Sequence, residues 1–307
     1  MEPLRIVFMG SPDFAVPSLE KLYDSDHEVV SVVSGKDKRR RRRGTPEPTA
    51  VKRRALELGL DTFDADNMKS PELREYLHSL NADLFVVVAF KILPPALLEI
   101  PAYGSVNLHA SLLPKYRGAA PIHWAIIKGE KETGCTVFFL DKSVDTGKII
   151  GRSSTPIGPD ETTGELYERL KHLGANLLAE SVDLIASADY TVTPQDSGEA
   201  TAAPKLFKEN TKIDFSQAAQ HIHNFVRGLN PFPLAWCTYD GEKMNLYKTA
   251  VGPSVDLKPG ELLSDENGVL AGTGEGTVRL LELQLPGRKR MTGLEFSNGY
   301  DLSVDLK

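Results

Sequence analysis

The sequence contains little cysteine and no long apolar run. Its two cysteines, Cys135 and Cys237, form no Cys-x-x-Cys pair, and both lie in apolar, strand-like stretches. This usage predicts buried, reduced thiols and a reducing compartment. No apolar stretch approaches the roughly 18 residues that a membrane span requires. The stretch from Arg5 to Met9 is too short for the apolar core of a secretion signal. We therefore expect a cytoplasmic protein without a membrane segment.

Several common ligand-binding motifs are also missing. No Gly-x-Gly-x-x-Gly follows the first predicted strand, so the usual signature of a dinucleotide site is absent from the sequence. The glycine-rich stretch at 272–277 lacks the lysine of a phosphate-binding loop and precedes no predicted helix, which favours a hairpin turn. The seven histidines and the acidic residues show no metal-ligand spacing, so we expect no metal.

Positive charge is concentrated in one segment. The net charge is −6, which excludes a globally basic nucleic-acid binder, yet residues 35–54 carry ten Lys or Arg against two acids. This segment therefore has a charge of +8 and the rest of the chain −14. Charge runs are often only solvated surface, but blocks of this length also form nucleic-acid arms. The candidate contacts to a polyanion are Lys36, Lys38, Arg39, Arg40, Arg41, Arg42 and Arg43.

Strand-like and helical patterns alternate through the first part of the chain. The predicted strands cover residues 4–9, 28–34, 84–90, 105–109, 133–140 and 147–155. This alternation predicts an α/β fold built on a parallel sheet. In such sheets a ligand binds beyond the carboxyl ends of the strands.

The remainder of the 307 residues predicts a second, smaller unit. A long helix is predicted at 163–186, then a polar stretch, then a helix at 215–227. Short strands with glycine turns follow at 235–239, 244–250, 260–263 and 277–285, which favours a small β-barrel. We place the N-terminal domain at 1–188, a linker at 189–205 and the C-terminal domain at 206–307.

Two polar side chains occupy the end of the strand predicted at 105–109. Residues two apart on a strand share a face, so Asn107 and His109 point the same way, about 7 Å apart. An amide donor beside an imidazole suits a reaction that develops an oxyanion on a carbonyl carbon. The alternative is a polar strand end satisfied by backbone groups. The Pro/Gly-rich turn that follows at once favours the functional interpretation.

A carboxylate follows a later strand. Asp145 lies in Val-Asp-Thr-Gly, just beyond the strand predicted at 133–140. An aspartate before a glycine commonly forms a turn. The functional alternative is a carboxylate that orients His109 or accepts a proton from an attacking amine.

A long spaced motif begins at the same strand. It reads Asn107-Leu-His109-Ala-Ser111-Leu-Leu-Pro114-x-x-Arg117-Gly118-x-x-Pro121, with Asp145-Thr-Gly147 downstream, and resembles the folate-dependent formyltransferases. Within that superfamily the chain is most similar to the branch that formylates methionyl-tRNA. Three features carry this: the basic insertion, Gly10-Ser-Pro12-Asp-Phe14-Ala, and Asn224-x-x-Arg227-Gly-x-Asn230-Pro-Phe-Pro233-x-x-Trp236.

The resemblance implies a Rossmann-like formyltransferase domain followed by an OB-like, tRNA-binding C-terminal domain. It implies 10-formyltetrahydrofolate as co-substrate, initiator methionyl-tRNA as acceptor, and a monomer. By position, the catalytic trio of the family falls on Asn107, His109 and Asp145. The expected folate contacts are Ser111, Leu112, Leu113 and Pro114 in the turn, with Phe90, Ile92 and Leu93 as an apolar wall.

Direct attack of the amine on the formyl carbon fits these residues. Asn107 and His109 would stabilise the oxyanion, and Asp145 would orient His109 and help to remove the amine proton. The sequence departs from the family pattern at two places. Phe90-Lys91 stands where the family has an aromatic residue and glycine, and the insertion begins Gly35-Lys-Asp-Lys instead of a Pro-Asp-Arg-Pro-like start.

Three other interpretations remain open at this point. A nucleotide-sugar N-formyltransferase would share the fold and the trio but would not need ten cations in one loop. A formyltetrahydrofolate hydrolase would share the site but lack a tRNA surface. A nucleic-acid-binding module with a dead α/β domain is disfavoured by the intact trio.

Overall fold

The computed structural model describes residues 2–39 and 45–307. The chain forms two compact units. Unit 1 comprises the residues up to Gly118 together with Gly134–Thr155 and Tyr167–Ala202, and unit 2 comprises Ala119–Thr133, Pro156–Leu166 and Ala203–Lys307. The domain limits expected from the sequence stay a prediction.

Strands and helices alternate in unit 1, and strands dominate unit 2. The strands are β1 Arg5–Gly10, β2 Glu28–Ser34, β3 Lys38–Arg39, β4 Pro46–Glu47, β5 Thr62–Asp64, β6 Leu84–Val88, β7 Ser105–His109, β8 Glu132–Phe139, β9 Ile149–Pro156, β10 Ala235–Tyr239, β11 Glu242–Val251, β12 Leu262–Asp265, β13 Gly268–Gly272, β14 Thr277–Gln284 and β15 Met291–Thr292. The helices are α1 Val16–Tyr23, α2 Ala50–Glu57, α3 Pro71–Ser79, α4 Pro95–Leu98, α5 Pro121–Ile127, α6 Thr163–Ala186, α7 Ala219–Gly228 and α8 Gly293–Gly299. Short 3-10 turns occupy Asp13–Ala15, Ser197–Glu199 and Lys208–Asn210.

Unit 1 is built on a seven-stranded sheet in the order β5-β2-β1-β6-β7-β8-β9. The first five strands of this order are mutually parallel. β8 runs antiparallel to β7, so the predicted parallel sheet acquires an antiparallel extension. Such extensions are common in α/β folds. The predicted α/β domain followed by a small β domain is confirmed.

The apolar run of β6 explains its central position. All five of its residues are buried, as expected for a parallel strand covered on both faces. The chain order reverses between β1 and β6, where Gly10 pairs with Val88. Ligands in open α/β sheets bind in the crevice at such a reversal. A Cβ at Gly10 would lie 3.0 Å from Ala15 Cβ and 3.1 Å from Val88 O, so glycine permits this close packing.

Unit 2 contains a six-stranded antiparallel sheet in the order β10-β11-β14-β13-β12, with β15 paired to β14. Ile222 and Val226 of α7 belong to the same buried cluster as Leu246, Val269 and Leu280 of the sheet. Each side chain of this kind stabilises the fold by about 1.5–3 kcal/mol when buried. The glycine-rich stretch after β13 is the β13–β14 hairpin turn, as predicted.

Some boundaries differ from the prediction. α7 begins at Ala219 and not at residue 215, because Asp214 Oδ1 accepts from Ser216 N (3.0 Å) and forms a turn there. Ala219 N then donates to Glu275 O (3.0 Å), outside the helix. β5, β13 and the two-residue pair β3–β4 were not predicted, since each is short and only β13 is strongly apolar.

The predicted burial of both cysteines is confirmed, and both are free thiols. Burial raises the pKa of the Cys135 thiol to about 12, and burial raises the pKa of the Cys237 thiol to about 12 as well. Thiolate is the reactive form, so both groups are chemically inert at neutral pH. None of the helices within residues 2–39 and 45–307 is both long and apolar enough to span a bilayer.

Candidate active site

Asn107 and His109 lie on the same face of β7, at its carboxyl end, as the strand period predicts. Asn107 Nδ2 donates one hydrogen bond to Val87 O of the neighbouring strand (3.0 Å). A primary amide carries two N–H groups, so this bond orients the side chain and leaves a second donor. Asn107 is half-buried, and His109 is 7% exposed.

The His109 ring is held by a backbone carbonyl. Its Nε2 lies 2.8 Å from Tyr116 O, which can only accept, so Nε2 carries a proton. The other nitrogen, Nδ1, lies 3.9 Å from Asp145 Oδ2. A neutral ring therefore presents a lone pair at Nδ1, whereas a protonated ring presents a second N–H there. The carbonyl that fixes this tautomer is itself secured, since Tyr116 N donates to Thr201 Oγ1 (2.8 Å).

Asp145 lies in the turn between β8 and β9. Its Oδ2 accepts from Gly118 N (2.9 Å), and the side chain is 14% exposed. The separation of 3.9 Å from His109 Nδ1 is an ion-pair distance without a direct hydrogen bond. The structure thus brings the three predicted catalytic residues to one end of the sheet, with His109 and Asp145 adjacent. Their catalytic role stays a prediction.

The turn that carries Asp145 is constrained on several sides. Asp145 has φ +55°, in the left-handed region that non-glycine residues rarely adopt. A Cβ on Gly147 would lie 1.7 Å from Phe139 O, so only glycine allows the chain to pass there. Asp141 Oδ1 accepts from Ser143 N (2.9 Å), which closes the start of the turn.

The side chain of Gln195 binds the same turn. Its Nε2 donates to Asp145 O (3.0 Å) and Gly147 O (2.9 Å). Its Oε1 accepts from Nε (3.1 Å) and Nη2 (2.6 Å) of Arg117. Gln195 thereby joins the Asp145 turn to the loop that follows β7.

The predicted folate-contacting turn is largely buried. Ser111, Leu113 and Pro114 are buried, whereas Leu112 is half-buried. Ser111 Oγ donates to Lys115 O (2.6 Å), and Ser111 O accepts from Thr136 Oγ1 (2.7 Å). These bonds fix the shape of the turn, so its backbone and Leu112 are what it offers to a ligand.

The three residues of the predicted apolar wall differ in their exposure to solvent. Leu93 is buried in the core of unit 1, Phe90 is half-buried, and Ile92 is 73% exposed. An exposed isoleucine beside the crevice is available to an apolar ligand surface. Lys91, the departure from the family pattern, turns toward β5, because its Nζ donates to Ala65 O (2.9 Å) and Asp66 O (2.6 Å).

The basic insertion begins and ends among ion pairs. Lys36 lies 3.4 Å from Asp66 Oδ2, and Lys52 Nζ bonds Asp37 Oδ1 (2.7 Å) and Asp64 Oδ2 (2.9 Å). Burial works to lower the pKa of Lys52, but the bonds to the two carboxylates outweigh it and the pKa is raised. The positive charge at this base is therefore balanced locally.

A cluster of hydroxyls joins the same base to the first turn of the fold. Ser34 Oγ donates to Gly10 O (2.7 Å) and lies 2.6 Å from Thr49 Oγ1. Gly35 N donates to Ser11 Oγ (3.1 Å). The start of the insertion is thus attached to Ser11, just after β1, and its end is attached through Thr49 to Ser34 at the end of β2. Lys38 and Arg39 are exposed, and the predicted contacts Arg40, Arg41, Arg42 and Arg43 lie outside the described residues.

Comparison with known families decides the chain's relationship. The formyl transferase family matches residues 4–182, and the formyl transferase C-terminal domain matches residues 205–301. A methionyl-tRNA formyltransferase of Chlorobium phaeovibrioides is 45% identical over 97% of this chain and 96% of its own length. One of Geobacter metallireducens is 42% identical over 100% of this chain and 99% of its own length. The chain belongs to the methionyl-tRNA formyltransferase family. It is therefore a formyl-transferring enzyme.

Solved structures agree with the fold expected of a methionyl-tRNA formyltransferase family member. The N-formyltransferase from Helicobacter canadensis, in complex with folinic acid and dTDP-3-aminofucose, matches with a TM-score of 0.69. The identity is 20%, over 90% of this chain and 97% of that chain, so the likeness concerns the fold alone.

The sequence contains no indication of the residues that hold the Asp145 turn and Tyr116. Gln195 and Thr201 fall in the stretch that the sequence predicts as a linker, where a lone glutamine or threonine carries no signal. Arg117 appeared only as a family motif residue. Among residues 2–39 and 45–307, no group of three or more His, Cys, Asp or Glu could hold a metal ion.

Proposed function

We propose that this protein transfers the formyl group of 10-formyltetrahydrofolate to the amino group of methionyl-initiator tRNA. The supporting observation is the adjacency of His109 and Asp145, with Asn107 on the same strand face, in a chain aligned almost end to end with methionyl-tRNA formyltransferases. An amide, an imidazole and a carboxylate at one strand end are the groups that acyl transfer to an amine requires.

The reaction proceeds by direct attack of the methionyl nitrogen on the formyl carbon. The new C–N bond leaves negative charge on the formyl oxygen, where Asn107 Nδ2 and a protonated His109 Nδ1 supply hydrogen bonds. The tetrahedral species then collapses, the bond from carbon to the folate nitrogen breaks, and that nitrogen takes a proton. No covalent bond to the enzyme forms.

The Asp145 carboxylate accepts the proton that the attacking amine must lose. Its distance of 3.9 Å from His109 Nδ1 also pairs its charge with an imidazolium. The fixed Nε2–H bond to Tyr116 O means that Nδ1 is the nitrogen available for chemistry. His109 and Asp145 thus divide the work between oxyanion and ammonium.

The folate and the tRNA occupy different parts of the sheet edge in this proposal. The pterin enters the crevice where the strand order reverses, bounded by the turn at Ser111, Leu112, Leu113 and Pro114 and by Phe90, Ile92 and Leu93. The tRNA backbone meets the basic insertion, with Lys36, Lys38 and Arg39 at its start and Arg40, Arg41, Arg42 and Arg43 beyond. Phosphate contacts of this kind release counterions and depend strongly on salt.

A comparison of acceptors tests the proposal. The full chain is incubated with 10-formyltetrahydrofolate and, in parallel, methionyl-initiator tRNA, a dTDP-amino sugar or water alone. We expect rapid formylation of the tRNA and slow reaction with the others. A higher kcat/KM for the amino sugar, or release of formate as the main product, would refute the proposal.

A further inference from the structure

We propose that Gln195 is a positioning residue that fixes the Asp145 carboxylate relative to the His109 ring, and that Arg117 anchors Gln195. The proposal rests on the transfer reaction proposed above. It assigns to the stretch after α6, predicted as a linker, a direct part in setting the distance between the two catalytic groups.

The amide of Gln195 uses its hydrogen-bonding capacity on groups at the site. Both N–H groups of Nε2 are donated, to Asp145 O (3.0 Å) and to Gly147 O (2.9 Å). Its Oε1 accepts two N–H groups from the guanidinium of Arg117, at 3.1 and 2.6 Å. An amide with two donors and two acceptor positions is fully satisfied by these four bonds.

Gln195 binds the backbone at Asp145, whose conformation is unfavourable without support from surrounding contacts. Asp145 has φ +55°, and such conformations persist in non-glycine residues only where surrounding contacts determine them. The two carbonyls bound by Gln195 lie on either side of Thr146, so a single side chain clamps the turn across its top. Loss of both bonds would let Asp145 relax toward ordinary backbone angles and rotate its carboxylate.

The anchor of Gln195 lies between the contacts of both catalytic groups. Tyr116 O binds His109 Nε2 (2.8 Å), and Gly118 N binds Asp145 Oδ2 (2.9 Å). Arg117 is the residue between these two. The bonds from Arg117 to Gln195 and from Gln195 to Asp145 O therefore close a ring of contacts around the gap of 3.9 Å. Gln195 touches neither reacting group, which makes its role one of position.

The variant Gln195→Glu tests this role because it removes the two donors while keeping the shape of the side chain, although it also adds a negative charge. The carboxylate is isosteric and still accepts from Arg117, but it offers no hydrogen to the carbonyls of Asp145 and Gly147. A displacement of about 1 Å near reacting groups costs roughly 100-fold in rate. We expect kcat for methionyl-tRNA formylation to fall roughly 100-fold, with KM values for both substrates unchanged.

Two further variants separate the proposal from charge and folding effects. Gln195→Met removes the same donors without adding charge and should lose a similar factor in kcat. Gln284→Glu is a matched control in unit 2, since Gln284 Nε2 also donates to a carbonyl (Arg288 O, 2.8 Å), and its kcat should equal the wild-type value. Thermal unfolding of each variant shows whether it is folded, and Gln195→Met carries the test if Gln195→Glu does not fold.

A double-mutant cycle decides whether Gln195 acts through Asp145. In an Asp145→Ala background the substitution at Gln195 should add no further loss to the residual rate. A wild-type kcat in both Gln195 variants, or an equal loss with and without the Asp145 carboxylate, would overturn the proposal. These outcomes require an active wild-type enzyme, so the absence of formyl transfer by the wild type would instead refute the proposed function.

Discussion

Two loops of unit 1, the turn at 141–147 and the base of the basic insertion, are held by different forces. The turn at 141–147, which carries Asp145, is fixed mainly by hydrogen bonds and close packing: the Gln195 amide donates to Asp145 O, Gly118 N donates to the Asp145 carboxylate, and Gly147 packs against Phe139 O. The base of the basic insertion is fixed by ion pairs of Lys36 and Lys52 with aspartates, together with the Ser34 hydroxyl.

The Asp145 turn is held in one geometry by its hydrogen bonds, whereas the ion pairs at the base of the basic insertion can respond to solution conditions. Hydrogen bonds at contact distance respond little to salt, whereas interactions between exposed charges farther apart than a Debye length, about 8 Å at physiological ionic strength, are largely screened. If the proposed function holds, the distance between His109 and Asp145 should therefore survive the salt that weakens an electrostatic contact to RNA. We expect kcat and the tRNA KM to respond differently to salt and to mutation.

The largest effect on kcat should come from removing the side chains of β7 that lie next to the Asp145 turn. His109→Ala and Asn107→Ala each remove a hydrogen-bond donor to the oxyanion, and each should lower kcat by about 100- to 1,000-fold. Folate affinity should change little, because both bonds form in the transition state. Stopped-flow formylation and equilibrium folate binding measure the two quantities. The exposed His78→Ala variant on α3 serves as control, and equal losses in binding and kcat would indicate a structural role for β7 instead.

A smaller, salt-dependent effect on the KM for methionyl-tRNA should follow from removing positive charge from the basic insertion. Replacement of Arg39, Arg40, Arg41, Arg42 and Arg43 by serine should raise KM for methionyl-tRNA and leave kcat unchanged. The slope of log KM against log salt should become shallower by roughly one unit for each tRNA phosphate that the variant no longer neutralises.

A control variant neutralises Lys69 and Arg74, two exposed cations elsewhere in unit 1. It should keep the wild-type slope. An unchanged slope in the arginine variant would show that the insertion does not meet the tRNA backbone.

The smallest effect concerns the ion pairs at the base of the insertion. Lys52→Met keeps the length of the side chain but removes its pairing with Asp37 and Asp64, and surface pairs contribute up to about 1 kcal/mol. The pKa of Lys52 is raised in the folded state, so its contribution is complete below the ordinary value near 10.5 and disappears as pH rises through the folded value.

Urea unfolding of wild type and Lys52→Met should therefore differ at neutral pH and converge as the pH rises above the ordinary lysine pKa and through the raised folded-state pKa of Lys52. A difference that persists in strong base would mean that packing of the side chain, and not its charge, stabilises the base of the insertion. The kcat of the variant should stay at the wild-type value.

The local pattern of apolar and polar residues predicted most strands of the unit 1 sheet. It also predicted that Asn107 and His109 of β7 share a face. Period-two alternation places Asn107 and His109 together, and continuous apolar character identifies β6 as a central strand. Asp145 was identified by its turn sequence and by family resemblance. These features depend on neighbours in the sequence, which is the information that a pattern contains.

The bonds that complete the site could not be predicted, because they join residues far apart in the chain. The bond from Gln195 to Asp145 spans 50 positions, and that from Tyr116 to Thr201 spans 85. A polar stretch between two helices resembles a linker whether or not its side chains reach back to a site. The predicted start of α7 was wrong for a related reason, since the turn at Asp214 and the bond from Ala219 N to Glu275 O compete with helix formation.

The hydrogen bonds of Gln195 to the Asp145 turn and of Thr201 to Tyr116 matter for the design of shorter fragments of the protein. The formyl transferase family match ends at residue 182, but unit 1 continues to Ala202. A minimal catalytic fragment cut at the end of that match would lose both side chains and should assemble a misaligned site, whereas one extended to residue 202 would keep them. Fragment design, domain grafting and selection libraries should treat the segment after α6 as part of the catalytic body.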